Sequence, residues 1–184
     1  MHRGYQISAT KIPLTMKYLL GYPDNIKAQV HQLLVDDQLG AMLQKKYQAS
    51  HSVRTDRALY DYVMVLKNDC LRSSEPLSKV TFDAKLHVIS HALGTHTTVS
   101  RVQGSKLKSK REIRIATLFK HVPPEFLKMI TVHELAHLKE RAHDKAFYQL
   151  CTHMEPNYHQ LEFDLRLYLT HMEASGARLW GQHE

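Results

Sequence analysis

The sequence predicts an α+β fold: a helical N-terminal extension, a small antiparallel-rich sheet, then an H-E-x-x-H helix and further C-terminal helices. Three observations carry this prediction. Up to Leu66, apolar residues recur at helical spacing. Beyond Ser73-Ser74-Glu75-Pro76 the period shortens to two, in short runs rich in β-branched residues. From Pro123 onward the helical period returns. The organisation expected from these changes is a helical region over residues 1–76, a sheet-and-helix domain over 77–174 and a tail over 175–184.

Each element has its own signal. Pro23-Asp24 ahead of Ile26, Val30, Leu33 and Leu34 opens a first helix with an acidic first turn. Leu39, Met42 and Leu43 support a second helix over about 36–47, weakened by Gly40. Thr55 is placed to cap a third, which carries Leu59, Tyr62, Val63 and Leu66. Val80-Thr81-Phe82 and Leu86 to Ile89 read as two short strands about a turn at 83–85. Thr97 to Val102 and Glu112 to Phe119 read as an antiparallel pair joined by a basic loop at 104–111. In the second strand of that pair, Ile113, Ile115, Thr117 and Phe119 share one face. Pro123-Pro124-Glu125 then starts a helix, followed by helices over about 144–154 and 156–172 and a frayed end.

Composition sets the class. With 43% hydrophobic and 23% charged residues, the 184-residue chain is globular in character. Cys70 and Cys151 make no disulfide framework and suit a reducing compartment, and no apolar run is long enough for a signal peptide or a membrane span. The expectation is a cytoplasmic protein. A formal charge of +7 favours anionic partners. Fourteen histidines are too many for all to be ligands, so spacing must select among them.

That selection falls on His133-Glu134-Leu135-Ala136-His137. Histidines four apart on a helix share a face about 6 Å apart along the axis, so both imidazoles can meet one ion. Glu134 lies roughly 100° round the helix, where it can act as general base on a metal-activated water without ligating. The expected metal is Zn2+, although imidazole ligands also suit other divalent ions. A third ligand is needed. His143 follows His137 at the interval found in H-E-x-x-H-x-x-G-x-x-H enzymes, with Glu140 in the glycine position. In an unbroken helix His143 would point roughly 240° away, so the helix must break, and Asp144 can cap a new one. His153, His159, Glu155 and Glu162 are the alternatives. Asp144 suits a cap better than a partner to a ligand, and Met154 reads as core. Tyr148, Tyr158 and His159 could each supply an oxyanion donor, and nothing in the sequence chooses among them.

The run Pro123 to Tyr148 resembles the YgjP-like metallopeptidase-domain family, which pairs H-E-L-x-H-L with a later histidine and then an aromatic. Here these are His133 to Leu138, His143 and Phe147, and the passage from Arg114-Ile115-Ala116 to Pro123-Pro124-Glu125 matches in kind. The resemblance covers about Lys79 to Met172. Many relatives carry R-W-G-S-C before the motif strand where this chain has Ser100 to Ser105, a departure that bears on substrate preference. The resemblance implies a minimal zincin-like fold, with a small twisted sheet packed on the active-site helix and His143 as third ligand.

Three activities follow as expectations. The first is a zinc metallopeptidase, with the strand 112–119 pairing to an extended peptide. The second, also implied by the resemblance, is a nucleotide hydrolase cleaving UTP to UMP and diphosphate. Arg101, Lys106, Lys108, Lys110, Arg111 and Arg114 would then bind phosphate. No glycine-rich phosphate cradle accompanies them. A nucleic-acid-associated role ranks last, because the chain has no zinc finger and no interleaving of basic and aromatic residues.

Overall fold

The computed structural model describes residues 16–86, 95–101 and 108–181, the side chains of 95–101 and 108–110 aside. Three helices come first: α1 (Asp24–Val35), α2 (Leu39–Lys46) and α3 (Asp56–Cys70). Thr55 caps α3 as its position predicts, its hydroxyl accepting from Ala58 N at 3.1 Å. Gly40, a poor helix former, has a packing reason. A Cβ there would sit 2.8 Å from the His171 ring, so only glycine lets α2 lie this close to the last helix.

Three strands follow: β1 (Leu77–Asp83), β2 (Thr95–Arg101) and β3 (Lys108–Ala116). Their order is β1-β3-β2, with β1 parallel and β2 antiparallel to β3. The antiparallel-rich sheet expected from the sequence is therefore a mixed one. Alternation identifies a strand but not its partner, and Val80 and Phe82 find Ile113 and Ile115 in parallel register instead of turning back on themselves. The expected strand at 86–89 lies, from residue 87, outside the described residues.

β3 also starts earlier and ends earlier than expected. Residues 108–111, read as loop, belong to it, and residues 117–121 form a 3-10 turn. Ile113 and Ile115 are fully buried as their parity predicts, while Phe119 reaches the core from the turn. β3 is the central strand, paired on both sides over Glu112–Arg114, so the expected peptide pairing finds no free edge there.

α4 (Pro124–Ala136), α5 (Lys145–Met154) and α6 (Tyr158–Ser175) complete the described fold. α4 is buried on every side, from Phe126 to Ala136 with Lys128 alone half-exposed, as befits a helix apolar all round. Its core neighbours include Leu43 and Leu59 from the N-terminal helices and Phe147, Leu165 and Tyr168 from the C-terminal ones. The tail, expected to fray, docks Trp180 against Tyr47, Phe126 and Tyr168, with its indole N–H donating to Tyr47 O at 2.9 Å. No described helix is long and apolar enough to cross a membrane.

Candidate metal centre

The last turn of α4 sets His133 and His137 on one face, and the chain then turns sharply. His137 is the C-cap residue, and Leu138 N, Lys139 N and Glu140 N bond back to Leu135 O, Ala136 O and Ala136 O. The sequence lacks the glycine that makes this turn easy elsewhere, and the structure shows why none is needed. Among the described non-glycine residues only Asp37 has positive φ, so Glu140 sits in ordinary backbone. Asp144 restarts the helix, accepting from Ala146 N and Phe147 N at 3.0 and 3.1 Å. It acts as the cap it was expected to be.

This break swings His143 back over α4. Its Nε2 lies 3.2 Å from His133 Nε2 and 3.0 Å from His137 Nε2. Two nitrogens held about 2.05 Å from one tetrahedral zinc would lie ~3.3 Å apart. The spacing therefore fits three ligands to one ion, and among the described residues these three histidines form the one cluster able to hold a divalent metal. The carboxylate rivals are occupied elsewhere. Glu155 pairs with Lys128 at 2.6 Å and Glu162 with Arg166 at 2.7 Å.

Two of the three histidines are held from behind. His137 Nδ1 lies 3.0 Å from Glu140 O. A carbonyl only accepts, so Nδ1 carries the proton and Nε2 keeps its lone pair. His133 Nδ1 lies 2.6 Å from the Tyr158 hydroxyl. Tyr158 is fully buried, which removes it from the candidate oxyanion donors and gives it a supporting place instead. Phe147, also fully buried, lies beneath all three rings at centroid distances of 4.6 to 5.0 Å. Burial, reinforced by the other two histidines, drives the His133 pKa down to about 3. It is thus neutral, as a ligand must be.

Glu134 has no exposed surface, and neither of its carboxylate oxygens has a hydrogen-bond partner. Burial pushes its carboxyl up to about 8. Two orphaned acceptors on the residue next to His133 are what a cation-and-water site requires, since a nearby cation restores the charged carboxylate and a water satisfies it. The histidines and Glu134 fit a divalent metal on these grounds.

Of the six basic residues, Arg111 and Arg114 have described side chains, and these two turn to different neighbours. Arg111 shares the parity of Ile113 and Ile115 and turns toward the helices, where its guanidinium donates to Leu138 O at 2.9 Å and pairs with Glu75 at 2.6 Å. That anchors it one residue beyond His137. Arg114 has the opposite parity and meets Asp83 and Glu112 at 3.3 and 3.4 Å. Arg101, Lys108 and Lys110 lie in β2 and β3 with side chains outside the described set, as does all of Lys106. The signal that could have singled out Arg111 was a cation on the apolar parity of a strand. Phe147 was visible as the aromatic after His143, but its place as a floor was not. Tyr148, half-buried, stacks toward His143 and His159 at 6.5 and 5.3 Å.

Fold and site together define a metal-dependent hydrolase. The YgjP-like, metallopeptidase domain family model matches residues 80–168. The chain is also 57% identical over 157 residues, 85% of its length, to the UTP pyrophosphatase of Escherichia coli (strain K12), of which the match covers 94%. The chain belongs to the YgjP-like family. No solved structure matches it.

Proposed function

We propose that this chain is a nucleoside-triphosphate pyrophosphohydrolase that cleaves UTP to UMP and diphosphate at a zinc ion held by His133, His137 and His143. The observation that carries this is the relative named UTP pyrophosphatase, matched across nearly its whole length. It reverses the ranking expected from the motif, which put peptides first. Bound zinc would supply Lewis-acid polarisation and a lower pKa for water. Glu134 takes a proton from the attacking water as its oxygen bonds to phosphorus and the α–β anhydride P–O bond breaks. Diphosphate departs with that bridging oxygen. The carboxylate's dry setting, on the buried last turn of α4, keeps its basicity high. The 77–174 segment, a minimal zincin-like unit in this reading, carries the chemistry.

Arg111 heads the proposed polyphosphate contacts, supported by its anchorage beside His137. Arg101, Lys108 and Lys110, in β2 and β3, and Lys106, between those strands in the sequence, are proposed with it. Arg114, on the opposite parity of β3 and without an anchorage beside His137, is the weakest member. Two unpaired cysteines support the cytoplasmic setting.

Metallopeptidase activity is the second reading, and the description of the matched family model favours it. The deciding experiment incubates the zinc-loaded protein with UTP and, separately, a peptide library, and follows products by chromatography. Release of UMP and diphosphate, lost with chelator and reduced ~10²–10⁴-fold by Glu134→Gln with metal content unchanged, supports the first reading. Peptide cleavage with UTP left intact overturns it.

A further inference from the structure

Two adjacent pairs of ring side chains flank the triad, and each splits in the same way. Phe147 and Tyr148 follow one another in the first turn of α5, and Tyr158 and His159 open α6. Neighbours on a helix stand about 100° apart, so one member of each pair turns inward and the other cannot. Phe147 and Tyr158 are the inward members. Both are fully buried, the first beneath the three histidine rings and the second behind His133. Tyr148 and His159 are left at the rim, Tyr148 half-buried and His159 exposed. Their rings meet at 5.3 Å between centroids, tilted by 38°.

The Tyr148 ring is also braced by its other neighbours. It lies 5.3 Å from Phe147, 6.3 Å from Tyr158 and 6.5 Å from His143, which is itself exposed at the mouth of the cluster. These contacts fix the ring before a ligand arrives, so little freedom is lost when something flat settles on it. A braced, part-open aromatic ring next to a candidate metal ligand suits a ligand that joins a phosphate to a planar base through a sugar. We propose that Tyr148 and His159 form the platform on which the nucleobase of the substrate stacks, with Tyr148 as the main surface and His159 extending it outward. The inference rests on the reading of the substrate as a nucleotide. It gives this rim a use that the anhydride chemistry leaves open. Every base has a π face and bare polyphosphate has none, so the platform lets the enzyme tell the two apart.

The test uses the full zinc-loaded chain as wild type, Tyr148→Leu, Tyr148→Phe and His159→Leu. Kd values for UMP and for diphosphate are measured by calorimetry, alongside kcat and KM for UTP. Diphosphate offers phosphate groups without a base and serves as the control. Tyr148→Leu is expected to weaken UMP binding ~10–100-fold, the effect of losing one base–aromatic stack, and diphosphate binding less than ~3-fold. Its KM for UTP rises more than its kcat falls. Tyr148→Phe keeps the ring and loses the hydroxyl, so it holds UMP within ~3-fold of wild type, whereas an oxyanion donor would lose kcat. His159→Leu, at the exposed end, weakens UMP ~3–10-fold. A wild type that binds no UMP, or unchanged UMP affinity in Tyr148→Leu, overturns the platform. So does an equal loss for UMP and diphosphate, which is what a merely structural disturbance of the triad gives. If Tyr148→Leu does not fold, His159→Leu decides by the same comparison. Reaction and platform fail separately. A wild type that leaves UTP intact but binds UMP through Tyr148 loses the reaction and keeps the platform. One that cleaves UTP with a KM indifferent to Tyr148→Leu keeps the reaction and loses the platform.

Discussion

The α4–α5 corner and the β2–β3 arm carry the two halves of the proposed chemistry and are built by opposite means. In the corner, three candidate ligands lie within eleven residues of chain, from His133 to His143, placed by a helical turn, a C-terminal break and the Asp144 cap. In the arm, Arg111 reaches Leu138 across 27 residues, through strand parity and pairing. Local geometry makes the first nearly self-specifying. The second exists only once the sheet has formed.

The sharpest way to break this comparison is to remove the ligand that most depends on the turn. His143→Ala leaves the α4 pair intact but takes away the nitrogen that closes the cluster. Zinc affinity is expected to fall by more than ~10²-fold, beyond the loss of a supporting partner, and UTP turnover with it. Equilibrium dialysis against a zinc chelator measures this. Retention of full zinc would show that the corner does not act as one unit.

The arm is tested by contrast between its two arginines. Arg111→Gln removes the cation anchored beside His137, and a charge-assisted contact to phosphate is worth ~1.5–3 kcal/mol. The KM for UTP should therefore rise ~10-fold or more, with kcat less affected. Arg114→Gln touches a more exposed residue with no anchorage beside His137 and should change KM less than ~3-fold, as exposed pairs contribute little. Equal effects would mean that parity does not sort the arm's charges.

The same division explains what could be read from the chain. His133, Glu134 and His137 follow from helix periodicity, and Thr55 and Asp144 from capping chemistry, each a matter of a few residues. The helices were legible throughout for this reason. The parallel partnership of β1 was not, because Val80 and Phe82 alternate in the same way whether Ile113 and Ile115 run with them or against them. Nor was Tyr158, which meets His133 from 25 residues away with no local pattern to announce it. Trp180 is the same case, buried by Tyr47 and Phe126 from distant segments.

Glu140 offers the smallest and most discriminating effect, because sequence comparison and structure disagree about it. Enzymes with the longer motif carry glycine at this place, which suggests that Glu140→Gly should ease the turn and improve the site. The backbone here needs no positive φ, so glycine relieves nothing. Its added freedom in the unfolded chain should cost ~0.4–1 kcal/mol, read as a lower Tm of the metal-free protein. Zinc affinity should not increase, since the contact to His137 Nδ1 comes from the Glu140 carbonyl, which glycine retains. A tighter site in Glu140→Gly would mean that the turn does carry strain, and that the corner is less self-specifying than its short span of chain implies.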